Sequence, residues 1–172
     1  MRSKSLLLLA GTVIGLGQAS AAPAQSSLPQ IEFISLADAE KMLRAIGAKV
    51  QRLEAPYHFS VTWPSGWFAD GQLQNCEDKN SALNCRTLSI IAVNAKPKEI
   101  SRAALMDFIN EENSRSLYGV MFLDEHGNIV RRFTFFTTGN ETASSGSLRI
   151  LGWVQQVRRS QIALAKMKVT AE

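Results

Sequence analysis

The chain has 172 residues, 19 of them basic and 15 acidic, with 45% hydrophobic content. That length predicts one folded domain behind an N-terminal leader. With Arg2 and Lys4 removed in that leader, 17 basic residues face 15 acidic ones, a balance too even to predict binding of nucleic acid.

Arg2 and Lys4 precede an apolar run from Leu6 to Leu16, and Ala19-Ser20-Ala21 and Ala22-Pro23-Ala24 follow it. This is the charged, apolar and small-residue order of a secretory signal peptide, expected to be cut after Ala21. The run falls short of the ~20 residues that span a bilayer, so no stable membrane anchor is expected after cleavage. The expected location is the periplasm. Residues 1–21 then form the signal peptide, 22–34 a flexible leader, 35–167 the domain and 168–172 a tail.

Ser35-Leu36-Ala37-Asp38 predicts a capping box, and Leu36, Ala39, Met42, Leu43 and Ile46 give one apolar helix face. Gly47 is placed to close that helix in the left-handed conformation. Lys49 to Glu54 can begin a strand. Tyr57, Phe59, Val61 and Trp63 alternate with His58, Ser60 and Thr62, which predicts a half-buried strand. Pro64-Ser65-Gly66 turns the chain, and Trp67 to Gln74 returns as its partner. Leu88 to Val93 predicts a strand buried on much of both faces.

Cys76 and Cys85 lie between these strands. An even cysteine count in an exported chain predicts a disulfide, and eight intervening residues suit neither a metal pair nor a redox pair. Closing that loop is expected to contribute about 2–3 kcal/mol.

Ser101 caps a second helix, with Ile100 and Leu105 as its hydrophobic staple and Leu105, Phe108 and Ile109 as its apolar stripe. Asn110 and Asn113 follow on one face. Val120 to Leu123 and Ile129 to Phe136 flank a hairpin turn with Gly127 where positive φ is needed. A last helix is expected from about Ser147 to Met167, with Trp153 on its apolar stripe and a close packing contact at Gly152. The predicted fold is α+β. A mainly antiparallel five-stranded sheet carries packed helices in the order α-β-β-β-α-β-β-α.

Asn110-Glu111-Glu112-Asn113, then Tyr118-Gly119, then Leu123 through the acidic, Gly-containing turn to Val130 together resemble the hallmark of the YbjN family. That family is described as bacterial sensory transduction regulators. The resemblance spans about Ser35 to Lys166. Glu112 departs from it, standing where the family tends to place an apolar residue, and the family's Gly-rich step after the hairpin is reduced here to Gly139-Asn140. The resemblance implies an element order similar to type III secretion chaperones, which are dimers that hold extended partner segments. It therefore raises two partner expectations, a homodimer and a polypeptide.

Little in the chain predicts chemistry. His58 lies mid-strand between aromatic residues and His126 in a turn, and neither has a nucleophile and orienting acid at motif spacing. Asp124, Glu125 and Asn128 miss the calcium-loop spacing. No catalytic residue, metal or cofactor is expected, and a hydrolase using His58 is the minor alternative. Asn110, Asn113, Trp63 and Trp67 are the candidate partner-binding residues. Arg131-Arg132 and Arg158-Arg159 read as solvated basic pairs. A ligand sensor is the other alternative, with a pocket under the last helix lined by Trp153 and the hairpin phenylalanines.

Overall fold

A computed structural model describes residues 29–170, with side chains as far as Met167. The expected signal peptide, residues 1–21, lies outside the described residues. In chain order the elements are β1 (Gln30–Ile31), α1 (Leu36–Arg44), β2 (Lys49–Arg52), β3 (His58–Thr62), β4 (Phe68–Gln74), β5 (Thr87–Asn94), α2 (Arg102–Ser114), β6 (Val120–Leu123), β7 (Ile129–Phe136), β8 (Glu141–Thr142) and α3 (Ala143–Thr170).

The large sheet has six strands in the order β2-β3-β4-β5-β7-β6, every neighbouring pair antiparallel, and a separate two-stranded ribbon joins β1 to β8. The α+β class stands, and the expected count of five strands is corrected to six. The additional strand is β2. It lies at the sheet edge with Lys49, Gln51 and Arg52 exposed, so no alternation of apolar residues marks it.

The expected flexible leader also shortens. Ile31 and Ile34 are buried, and the Ile34 N–H donates to Cys85 O at 2.7 Å. Two isoleucines offer enough apolar surface to hold this stretch against the core.

Local signals account for the helices. The Ser35 hydroxyl accepts from Asp38 N–H at 3.1 Å, and the Asp38 carboxylate accepts from Ser35 N–H at 3.0 Å, a complete capping box. Ser101 caps α2 by accepting from Ala104 N–H at 3.2 Å. Gly47 ends the first helical segment at φ 82°.

The helices pack on one face of the sheet. Alternate strand residues on that face, such as Phe59, Val61, Leu73, Leu88, Ile90, Phe133 and Phe135, form the main core with Met42, Leu43, Ile150 and Trp153. A second cluster gathers Leu105, Phe108 and Ile109 of α2 with Met121, Ile129 and Leu164. The Ser147 hydroxyl donates to Met42 O at 3.0 Å and ties α3 to α1. On the opposite face the register aligns His58, Gln72, Ser89 and Thr134 in one row.

Candidate functional site

The β6–β7 hairpin turns on Asp124. Its Oδ1 accepts from the N–H groups of His126 at 2.9 Å and Asn128 at 2.7 Å, and its Oδ2 accepts from the Asn128 side chain at 2.8 Å. Desolvation pushes the Asp124 carboxyl up, but the hydrogen bonds from Asn128 and His126 together outweigh it and hold the group below the usual carboxylate range. Gly127, at φ 81°, supplies the left-handed step the turn requires.

Upstream of the hairpin, α2 ends against the outer edge of β6. The Asn113 side chain donates to Met121 O at 2.8 Å and accepts from Met121 N–H at 2.8 Å. One amide thus satisfies both outward-facing backbone groups of Met121, as a neighbouring strand would. An unpaired strand edge is a template for another chain, and Asn113 caps this one at Met121.

With Met121 facing outward, the alternation of an antiparallel ladder turns Val120 and Phe122 toward β7, where they pair with Arg132 and Val130. The same alternation points the backbone N–H and C=O of Thr134 and Phe136 to that side. β6 has only four residues against eight in β7, so the register leaves Phe133 to Phe136 without a strand neighbour there. The open half of β7 borders a groove of ≈ 350 Å³ whose lining includes Ser116, Leu117, Tyr118, Val120, Thr134 and Arg149. Leu117 in that lining is 84% exposed, and Phe136 at the end of β7 is 56% exposed.

The aromatic–glycine step shapes the groove's inner wall. A Cβ at Gly152 would lie 2.6 Å from the Tyr118 ring, and one at Gly119 would lie 2.8 Å from the Trp153 ring. Each aromatic therefore sits over the other segment's glycine. This interlock holds Tyr118 and Gly119 against α3, while Gly119 also lies close to the β7 backbone, where its Cβ would meet Arg132 O at 2.5 Å. The close contact expected at Gly152 is present, with Tyr118 as its partner.

Trp63 is buried and Trp67 half-buried, their rings 4.3 Å apart, and Trp67 also meets Trp153 at 5.4 Å. The turn between β3 and β4 thus folds its tryptophans inward onto α3. Asn110 is exposed, while Asn113 is committed to Met121, so the pair does not form one shared patch. Cys76 and Cys85 form a disulfide at the root of the β4–β5 loop. His58 lies in β3 opposite Gln72, its ring 4.5 Å from that of Tyr57. Among the described residues, no group of three or more His, Cys, Asp or Glu could hold a metal ion.

Trp153 is 2% exposed and meets Phe133 at 5.8 Å, so the place expected for a sensor pocket is filled by packed rings. Sequence reading missed Leu117, Thr134 and Arg149, because strand pairing and not residue type makes them a site. Arg131 was expected on a solvated face and is 2% exposed. The period-two run Ile129, Arg131, Phe133, Phe135 carried that signal, since it places Arg131 on the core side.

No family model and no curated protein matches the chain. Among solved structures, it is similar to YbjN from E. coli, with a TM-score of 0.60 and 14% identity over 83% of this chain and 97% of that one. It is also similar to an uncharacterized protein from Methanothermobacter thermautotrophicus, with a TM-score of 0.51 and 16% identity over 80% of this chain and 98% of that one. A third likeness is to the HopA1-SchA chaperone–effector complex, with a TM-score of 0.49 and 9% identity over 73% of this chain and 95% of that one, too distant to argue from. The chain has a YbjN-like fold.

Proposed function

We propose that this protein is an exported, non-catalytic regulatory module that works by receiving an extended segment of another polypeptide as an extra strand along the open half of β7. The observation that carries this reading is the unpaired run Phe133 to Phe136 beside a groove. Free backbone N–H and C=O groups at a sheet edge select for a polypeptide, because only another main chain presents matching groups at strand spacing. Side chains of the added strand would reach Leu117 and Tyr118 on one side and Phe136 on the other.

Export is supported by the sequence of residues 1–24 and by the Cys76–Cys85 disulfide, which persists in oxidising compartments. Among the described residues no helix is long and apolar enough to cross a membrane. The absence of a catalytic role is proposed on the setting of His58, whose neighbours are Tyr57 and Gln72.

The test is site-specific photo-cross-linking in the native cell. A photoreactive residue at Leu117 should yield a polypeptide adduct, and one at the exposed hairpin residue Glu125 should not. Thr134→Pro removes the outward N–H without breaking a bond to β5, so it should abolish the Leu117 adduct while the domain stays folded. The adduct's mass tells a second copy of this chain from a different one. Equal adducts at both positions, or an adduct that survives Thr134→Pro, would overturn the proposal.

A further inference from the structure

Arg149 is exposed and belongs to the lining of the groove beside the open half of β7. Its place on α3 decides which side it serves. Arg149, Gly152 and Gln156 recur at spacings of three and four, so they share one flank of the helix. That flank meets the 116–119 segment. Tyr118 lies over Gly152, and the Ser116 hydroxyl donates to Gln156 Oε1 at 3.1 Å. The Arg149 guanidinium itself lies 5.6 Å from the centroid of the Phe135 ring. Phe135 is in the half of β7 that β6 leaves without a neighbour. The charge therefore sits at the open edge, on the α3 side of the sheet.

The ion pairs formed by the described residues do not include Arg149. From Ala143 to Thr170, α3 has no Asp or Glu, so its own helix offers no acidic neighbour three or four positions away. The groove lining holds a second arginine, Arg132, and no acidic residue. The Phe135 ring attracts the cation through its π face but does not neutralise it.

The side chains of an added strand alternate between the two faces of the sheet. A residue opposite Phe135 shares the face of that ring, which is packed in the core under the helices. We infer that the strand received by β7 carries an Asp or Glu opposite Phe135, and that its carboxylate pairs with the Arg149 guanidinium. The inference rests on the strand-addition reading and adds the partner's charge to it. The carboxylate is a side chain and not a chain terminus, because a strand that satisfies both Thr134 and Phe136 runs on past Phe135. Guanidinium and carboxylate match through two parallel charge-assisted hydrogen bonds. A segment with Lys or Arg at that place would meet like charge instead, so Arg149 selects among extended segments as well as attracting one.

The test is the Leu117 photo-cross-link in the native cell, repeated with changes in α3 and followed by mass spectrometry of the cross-linked peptide. The segment joined at Leu117 should contain Asp or Glu and carry no net positive charge. Arg149→Glu should lower the adduct yield at least about tenfold, and Arg149→Lys, which keeps the charge, should stay within about threefold of the parent. Arg158→Glu makes the same charge change at an exposed α3 position beside Trp63 and Trp67, and should leave the yield unchanged. The peptide readout uses Arg149 unaltered, so it is independent of how any variant folds. No adduct in the parent would overturn the strand-addition reading and this inference with it. An adduct that Arg149→Glu leaves undiminished, an equal loss in Arg158→Glu, or a cross-linked segment that is basic or lacks Asp and Glu would overturn this inference alone.

Discussion

Asn110 and Asn113 lie three positions apart near the end of α2 and meet different surroundings. Asn110 is exposed, and Asn113 holds both backbone groups of Met121. Asn113→Ala should therefore destabilise the fold by about 1–3 kcal/mol, since it leaves a half-buried donor and acceptor without partners. Asn110→Ala should stay within about 0.5 kcal/mol of the parent. Urea unfolding of the two variants checks this, and equal midpoints would remove the edge-closing role given to Asn113. The sequence marked both asparagines by their spacing. It did not separate them, because the difference is made by a strand eight residues further on. Arg131 shows the same limit. As a neighbour of Arg132 it reads as surface charge, and only its place in the run from Ile129 to Phe135 puts it inside.

Among the elements, the β4–β5 loop shows what local chemistry does prescribe. The disulfide expected from cysteine parity is formed between Cys76 and Cys85, nine positions apart. Within the loop, Asp78 accepts from Asn80 N–H at 2.9 Å and from the Ser81 hydroxyl at 2.6 Å. Cys85 is fully buried and its carbonyl holds Ile34, so the staple fastens the segment before α1 as well as the loop. Replacing both cysteines by alanine should lower stability by about 2–3 kcal/mol in the chain-entropy picture. Unfolding of this variant and of the oxidised parent gives the comparison, and matching midpoints would deny the loop that role. The helix starts at Ser35 and Ser101, the staple at Ile100 and the hairpin turn at Asp124 were legible for the same reason: each signal is complete within a few residues. The edge strand β2 showed only as a stretch from Lys49 to Glu54 able to begin a strand and was left out of the count of five, because its residues bury little and its pairing with β3 makes it a strand.

At the scale of the whole molecule, the helices pack on one face of the sheet, whose edges are β2 on one side and β6 with the second half of β7 on the other. β6 is capped at Met121 by Asn113, and the remaining four residues of β7 have no strand beside them, with Phe133 and Thr134 bordering a groove. That arrangement follows from a short β6, from Tyr118 lying over Gly152, and from Trp153 lying over Gly119. The Tyr118-Gly119 pair was visible as a motif, but its consequence for the neighbouring strand was not, because it depends on register. A YbjN-like fold frames the open edge without saying what binds there.

The most direct measurement is residue-resolved hydrogen exchange of the purified chain, alone and after addition of cell-envelope extract. The strand-addition account predicts that the Thr134 and Phe136 amides exchange fast in the isolated chain while those of Val130 and Arg132 exchange slowly, and that extract slows Thr134 and Phe136. Slow exchange at Thr134 and Phe136 in the isolated monomer, or fast exchange there that extract leaves unchanged, would contradict it.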